Sequence, residues 1–208
     1  DEMLLGSLGL GCSTLYGAKD FANLQIFDNV IGSSGLGAFS STELQKALAG
    51  KIANADLTLG QLSTNVSGNS TPKDVETMLQ MVYLYFTNIN KAQKSFDNLM
   101  QQLEVSLKNR EIDPDVAFSD SISATIYGHN PRVAPLTTER LKEVSYDRIL
   151  QIAKERTASA QGWVFNIVGN YDEATIRPLI CQYLGALPAK AKAVKSKREL
   201  NPVKGVVD

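Results

Sequence analysis

The sequence predicts an α+β fold in which a mostly antiparallel sheet is covered by helices on one side. Strand-like alternation of apolar and polar residues occurs in residues 3–16, 52–70 and 163–168. Between these segments, apolar residues recur at helical spacing. The strands are grouped among helices and do not alternate with them one for one. This grouping favours an antiparallel sheet over a parallel one.

The first element is a strand-like run from Met3 to Tyr16, in which glycine and serine interrupt the apolar residues. Residues 6–11 read GSLGLG, which has some likeness to a dinucleotide-binding loop. In such a loop the glycines have a different spacing and lie between a strand and a helix. Here they fall inside the strand pattern, so we predict a glycine-containing strand and no cofactor loop.

Two helices are predicted next. Apolar residues recur with helical period over residues 21–31, and the sequence GSSG at 32–35 ends that run. The second helix begins at Ser40 or Ser41, whose hydroxyls suit an N-cap, and it stops before Gly50.

Residues 52–70 alternate in the manner of two antiparallel strands with one wet face. The sequence Thr71-Pro72-Lys73-Asp74 then indicates a helix start, because it combines a hydroxyl cap, a proline in the first turn and a carboxylate near the positive helix end. The wide apolar stripe over 75–86 predicts a helix that packs on the core.

A second long helix is predicted from Lys91 to Arg110. Asp113-Pro114-Asp115 begins a shorter helix that continues through Ile126. The segment from Tyr127 to Leu136 contains two prolines and is predicted to be a loop.

The last three elements are a helix, a strand and a helix. Ser145-Tyr146-Asp147-Arg148 caps the first of these helices. Trp163, Phe165 and Ile167 alternate as one face of a strand, and Asp172 opens the final helix.

The chain has 208 residues and a formal net charge of -1, enough sequence for one large domain with a substantial core. We assign residues 1–188 to that domain. Residues 189–208 are rich in lysine but carry no interleaved aromatic residues, so a basic linker or tail toward a following domain is favoured over a nucleic-acid or membrane arm. The near-neutral chain offers nucleic acid no basic surface, and no apolar run approaches the roughly 20 residues of a membrane span.

Cys12 and Cys181 are too few for a disulfide framework and match no metal or redox spacing, so we predict that each is a small buried hydrophobic residue. Asp1-Glu2 leads almost at once into a strand, which suggests a piece excised from a longer chain. The compartment stays open, since a signal peptide removed upstream, which would place the parent in the periplasm or cell envelope, cannot be seen here.

Three phrases in the second half resemble the pitrilysin/insulinase (inverzincin) family of zinc metallopeptidases. They are the helix start at 143–148, the strand end VGNYD at 168–172 and the helix end YLGALP at 183–188. The order of elements upstream is also similar, so the resemblance covers nearly the whole length. It implies a domain like those of mitochondrial processing peptidase, and specifically the first domain of the non-catalytic C-terminal half.

The zinc motif of the family, H-x-x-E-H, has no counterpart here. If Gly32 matches the glycine that follows the motif, Asn23 stands at the first histidine, Ile26 at the glutamate and Phe27 at the second histidine. Apolar side chains neither coordinate zinc nor activate its water. Glu104 lies where the downstream glutamate ligand is expected, and without histidines we predict a solvated carboxylate. We therefore assign this chain no catalytic, cofactor or metal residues, and we expect zinc in the catalytic half of the parent.

Three other sequence features were considered as candidate functional sites, and none predicts one. His129 is the single histidine and is predicted to lie on the surface in a turn. The sequences at Asn65 and Asn69 match the glycosylation pattern, which has meaning only in a eukaryotic secretory setting. The substrate-contacting phrase R-x-x-x-x-L-x-Y found in some members is absent, because Arg156 is followed by the strand at 163–165.

The resemblance implies a non-catalytic chamber domain of a zinc metalloendopeptidase that hydrolyses peptides or proteins. Its partners would be the active zinc-bearing half, in the same or another chain, and the peptide substrate. The alternative is a catalytically inactive subunit of a hetero-oligomeric complex like processing peptidase. A third class, a stand-alone ligand-binding module, is disfavoured because no polar residues converge in the sequence. By itself, the chain is expected to be inactive.

Overall fold

A computed structural model describes residues 2–10, 13–189 and 200–205 of the chain. The strands of the described chain are β1 Met3–Leu10, β2 Gly35–Leu36, β3 Ala53–Leu59, β4 Ser63–Ser70, β5 Ile89–Asn90 and β6 Val164–Gly169. Its α-helices are α1 Phe21–Gln25, α2 Phe27–Gly32, α3 Ser41–Ala47, α4 Val75–Thr87, α5 Gln93–Glu111, α6 Pro114–Ile126, α7 Thr138–Leu141, α8 Tyr146–Thr157 and α9 Glu173–Tyr183.

Four strands form one antiparallel sheet in the order β3-β4-β1-β6. Because side chains alternate along a strand, each strand has an inner and an outer set. The inner set includes Met3, Leu5, Leu57 and Val66, each of which is at most 2% exposed. The inner face of the sheet packs against α2 and α4, and α8 packs in turn on both of those helices. The predicted α+β class, with a sheet covered by helices on one side, is confirmed.

The predicted helix starts are confirmed at four sites. Ser40 forms a capping box with Glu43, and Asp113, Ser145 and Asp172 each accept a hydrogen bond from a backbone N–H in the first turn of their helix. In each case a short polar side chain satisfies an N–H that has no partner within the helix.

The predicted first strand is too long. β1 ends at Leu10, and Ser13–Leu15 forms a 3-10 turn whose first N–H donates to the carbonyl of Gly60. Thr71 also differs from its prediction: its hydroxyl donates to the Asp74 carboxylate and does not cap the backbone, and a 3-10 turn at Pro72–Asp74 precedes α4.

The helix predicted over 21–31 is broken at Ile26, whose backbone leaves the helical region (φ -114, ψ 9). The break brings both Ile26 and Phe27 into the core, at 3% and 0% exposure. The short β2–β5 ladder and the single turn α7 were not predicted, because elements this short have no period to read.

The prediction for Cys181 is wrong, since its side chain is exposed. On α9 the inward positions are taken by Ile176, Leu179 and Ile180, and Cys181 points away from them. Cys12 lies outside the described residues. The same is true of the basic side chains predicted to form the linker, Lys190, Lys192, Lys195, Lys197 and Arg198.

Candidate functional site

The segment aligned with the zinc motif spans the break between α1 and α2. Asn23 is 2% exposed, Ile26 3% and Phe27 0%. Around it, α1 packs against α8, and α2 packs against both α8 and β3. All three aligned side chains therefore lie inside the protein.

Asn23 holds a specific partner. Its Oδ1 accepts a hydrogen bond from the backbone N–H of Ser145 at 2.8 Å. Ser145 is the N-cap of α8, and its own hydroxyl accepts from the N–H of Arg148. The amide at the first motif position therefore helps to hold the start of α8, a task that consumes its acceptor oxygen.

These residues do not fit a zinc ion. A zinc site in proteins is built from Cys, His, Asp or Glu side chains, and a catalytic one keeps a position open to water. Ile26 and Phe27 supply no ligand atom and are sealed from solvent. No group of three or more such side chains that could hold a metal occurs among the residues the structure describes. We derive no metal-dependent step for this chain.

Glu104 lies on the exposed side of α5, where its carboxylate accepts a hydrogen bond from Lys108 at 2.7 Å. This bond is the main reason that the pKa of Glu104 is lowered from its ordinary value. The helix α5 packs mainly against α6 and α7. Glu104 therefore lies on a different part of the domain from α1 and α2, which carry the aligned motif positions. It is a solvated carboxylate, as predicted.

The connection between β1 and α1 is held by an ion pair that sequence reasoning missed. Arg148 Nε and Nη2 donate to the two carboxylate oxygens of Asp20 at 2.8 and 2.9 Å. Asp20 is 3% exposed, and the hydrogen bonds from Arg148 lower its pKa. The two residues are 128 positions apart, so no local pattern could have paired them.

Two further contacts hold the same connection. The Tyr16 hydroxyl donates to Glu155 at 2.9 Å, and burial is the main cause that raises the pKa of Tyr16. Arg132 donates to the carbonyls of Ser13, Thr14 and Tyr16. Carbonyls in an irregular segment need such donors, so Arg132 replaces the ladder that β1 would otherwise continue.

Arg156, the arginine compared with the substrate-contacting phrase of the family, packs against the connection between β1 and α1. Its guanidinium carbon lies 5.5 Å from the ring centroid of Tyr16, within the range of a cation–π contact. Arg148 lies at 5.6 Å from the same ring. The arginines thus surround the connection and do not converge on a site for a substrate.

A small cavity of about 240 Å³ lies beside the motif segment. Its lining includes Leu24, Gln25, Leu59, Gln61 and Arg132. Arg132 is the charged group in that lining, and its guanidinium is already engaged by backbone carbonyls. The lining also carries the hydroxyls of Ser13 and Thr14, but its described residues include no carboxylate or histidine that could act as a general base for them.

The two edges of the sheet differ. At β3, the N–H of Leu59 donates to Asp28 Oδ1 at 3.0 Å, and the carbonyl of Ala55 accepts from the Tyr85 hydroxyl at 3.1 Å. Side chains from α2 and α4 therefore occupy that edge. At the other edge, β6 pairs with β1 and with no further strand of the described chain. The sheet is open to strand addition at β6.

The remaining predicted residues lie on the surface. His129 is exposed in a turn with φ of 56°, as predicted. Asn65 and Asn69 are half-buried on the outer face of β4. No helix in the part of the chain that the structure covers is both long and apolar enough to cross a membrane.

Among curated proteins, the chain is similar to a zinc protease PQQL-like protein of Arabidopsis thaliana. The two are 25% identical over 189 residues, which make up 90% of this chain and 20% of the relative. No protein-family model matches the chain.

Solved structures share the fold. The periplasmic protease PqqL of Escherichia coli superposes with a TM-score of 0.81 at 18% identity, over 97% of this chain and 22% of PqqL. A peptidase M16 inactive domain of Pseudomonas fluorescens superposes with a TM-score of 0.67 at 16% identity, over 94% of this chain and 48% of that structure. The chain thus spans about a fifth of the length of the curated relative. The chain is similar to a zinc protease PQQL-like protein, and it shares its fold with the protease PqqL and with a peptidase M16 inactive domain.

Proposed function

We propose that the chain is a non-catalytic wall domain of a zinc metalloendopeptidase that hydrolyses peptides or proteins. The observation that carries the proposal is the burial of Asn23, Ile26 and Phe27, the residues aligned with the zinc motif. In this domain they stabilise the packing of α1, α2 and α8. The domain has kept the scaffold of a peptidase domain and uses the former catalytic segment as core.

The names of the relatives support this reading. They are a zinc protease, a protease and an inactive peptidase domain. Because this chain matches only about a fifth of the zinc protease, the zinc, the substrate and the activity belong in our proposal to the rest of the parent. That rest includes a zinc-bearing half in the same polypeptide, whereas a zinc-bearing half in a separate subunit would make this chain part of an inactive subunit, which is the alternative.

The contribution of the domain is geometric. A rigid wall limits the size of the substrate, excludes water and holds the catalytic half in place. The open edge of β6 offers a row of backbone groups to which an extended peptide can add as a strand. The edge of β3 is excluded from this role because Asp28 and Tyr85 occupy it.

We further propose that residues 1–188 form one domain and that 189–208 connect it to the next one. Within the second segment, the N–H of Val203 donates to the carbonyl of Ile126 at 2.7 Å, so the described residues 200–205 follow the surface of α6. A periplasmic placement, as named for the PqqL structure, is part of the proposal for the parent. Fractionation of cells that express the parent tests that placement.

Zinc content and peptidase activity test the function. We expect the 208-residue chain to bind no stoichiometric zinc and to cleave no peptide, whereas the parent carries one zinc and cleaves fluorogenic peptides. We expect removal of residues 1–188 from the parent to lower kcat/KM by at least tenfold while zinc content is unchanged.

Three results would contradict the proposal. The first is stoichiometric zinc on the 208-residue chain, and the second is full kcat/KM in the parent without residues 1–188. The third is a parent that becomes active only when a separate subunit with the H-x-x-E-H motif is added, which would support the inactive-subunit alternative.

A further inference from the structure

The segment 200–205 contacts the rest of the chain at two separate places, and we call it the strap. At its beginning, Leu200 forms part of the wall of the cavity of about 240 Å³ beside α1. Three residues later, Val203 lines a second cavity of about 420 Å³ on α6, together with Ile122 and Ile126. Residues beyond 188 therefore contribute to the packing of the domain.

The middle of the strap completes the C-terminal end of α6. The N–H groups of Gly128 and His129 turn back and donate to carbonyls of the last helical turn, as in a Schellman motif. The carbonyl of Ile126 is not used by these two bonds. It accepts a hydrogen bond from the N–H of Val203 at 2.7 Å. The strap thus supplies a donor to a carbonyl at the helix end, where carbonyls have no partner within the helix.

Val203 also packs on the turn that follows α6. A Cβ atom added to Gly128 would lie 3.1 Å from a methyl group of Val203, so this side chain lies directly over the glycine. The next residue, His129, has a φ of 56°, which few residues other than glycine adopt. Such a backbone conformation persists where the surrounding structure holds it. The strap is part of that surrounding structure.

The turn reaches the connection between β1 and α1 through Arg132. The guanidinium of Arg132 donates to three backbone carbonyls of the connection, and its central carbon lies 4.7 Å from the ring centroid of Phe21. Leu200 shares a cavity wall with both Phe21 and Arg132. The strap therefore meets the connection in two ways, directly at Leu200 and through the turn at Val203.

The strap buries little apolar surface. Leu200 is only partly buried, and the side chain of Val203 is 46% exposed. Segments with few buried apolar contacts open locally while the rest of the domain stays folded. The strap can therefore leave its seat without unfolding of the sheet.

We propose that residues 200–205 are a releasable strap that couples the chain following the domain to the connection between β1 and α1. The seated strap holds the end of α6 and the turn that carries Arg132, and its release loosens both. Because Arg132 supplies the donors for the connection, the connection then becomes more mobile. This inference goes beyond the proposed function, since it holds whether or not the parent is a peptidase.

Hydrogen exchange by NMR in the 208-residue chain tests the coupling. The double variant Leu200→Ser and Val203→Ser removes both apolar contacts of the strap. The amide of His129 reports on the turn, and the amide of Tyr16 reports on the connection, since each donates to a nearby backbone carbonyl. We expect the double variant to raise the exchange of both amides at least fivefold. Asn201→Ser is the matched control, because Asn201 is exposed between the two contacts, and it should leave both rates unchanged.

The amides of β4 report whether the double variant still folds. If they also lose protection, Val203→Ala takes its place, because it keeps the N–H and removes only methyl groups, and it should raise both rates at least twofold. Unchanged exchange at both amides would overturn the proposal. A rise at His129 without a rise at Tyr16 would also overturn it, since the strap would then cap α6 without coupling to the connection. Neither outcome depends on zinc or on peptide cleavage, so the proposed function would be unaffected.

Discussion

Asn23 Oδ1 accepts a hydrogen bond of 2.8 Å from the backbone N–H of Ser145, which joins α1 to the start of α8. Asn23 is almost fully buried, so water cannot replace it. The bond supplies an acceptor for a backbone donor at the start of α8 that no residue of the helix itself can satisfy.

Replacement of Asn23 by Ala should therefore destabilise the domain. The Ser145 N–H would lose its partner, and a small cavity would remain, so we expect a cost of about 1–3 kcal/mol in the free energy of unfolding. Urea denaturation measures it. Asn29→Ala, at an exposed position on α2, is the matched control and should change the midpoint little. Equal midpoints for the two variants would show that the bond contributes nothing.

Ile26 provides the test of whether the motif can be restored. Ile26→Glu places an unpaired carboxylate at a position that is 3% exposed, and we expect roughly 3–5 kcal/mol of destabilisation. Asn29→Glu, at an exposed position on α2, should cost less than about 0.5 kcal/mol. Thermal unfolding of both variants decides the matter.

The combined variant Asn23→His, Ile26→Glu and Phe27→His restores all three zinc-motif residues at the aligned positions. We expect this variant to unfold before it can hold zinc, because three buried positions would become polar at once. A folded triple variant with one zinc per chain would contradict the assignment of these positions to the core.

Features of this fold that depend on local sequence were predictable, and those that depend on contacts between distant residues were not. Helix starts at Ser40, Ser145 and Asp172 were predictable because capping is local chemistry. The break at Ile26 was not, since it depends on two side chains reaching a core built by distant elements. The Asp20–Arg148 pair joins residues 128 positions apart and has no sequence signal. The exposure of Cys181 was missed because burial of a small residue depends on which face of its helix packs on the core.

The Asp20–Arg148 pair should make the stability depend on pH in acid. Hydrogen bonds from Arg148 lower the pKa of Asp20 in the folded state below the unfolded value of about 4. The folded state therefore holds the charged form more strongly, so its stabilisation is fully present above pH 4. It is lost as pH falls below that value and through the folded pKa.

Urea midpoints between pH 7 and pH 2.5 measure this loss. Asp20→Asn should be less stable at pH 7, and the gap to wild type should narrow as pH falls below about 4. Asp147 pairs with Lys91 but is 79% exposed. The urea midpoint of Asp147→Asn should therefore change with pH in the same way as that of the wild type. A gap for Asp20→Asn that stays constant with pH would exclude the ion pair as its cause.

The edge of β3 should open when Asp28 is removed. Asp28→Ala leaves the Leu59 N–H without its acceptor, so we expect the exchange of that amide to rise at least tenfold. Asp56→Ala is the control, because Asp56 points to the outer face and takes no part in the edge. Hydrogen exchange by NMR follows both variants, and an unchanged Leu59 amide in Asp28→Ala would mean that α2 itself shields the edge.

Gly9 and Gly6 lie on the same strand but should respond oppositely to alanine. A Cβ on Gly9 would run into the indole ring of Trp163, which is itself packed against Phe86 with ring centroids 4.7 Å apart. The ring cannot move aside without disturbing the core, so Gly9→Ala should cost about 1–3 kcal/mol in the free energy of unfolding.

Gly6→Ala meets open space and should be neutral or stabilise the 208-residue chain by up to about 1 kcal/mol, since alanine loses less backbone entropy than glycine. Urea denaturation of the two single variants gives the comparison directly. Equal destabilisation by both would mean that β1 needs glycine at each position for its backbone and that the Trp163 ring is not what excludes a Cβ at Gly9.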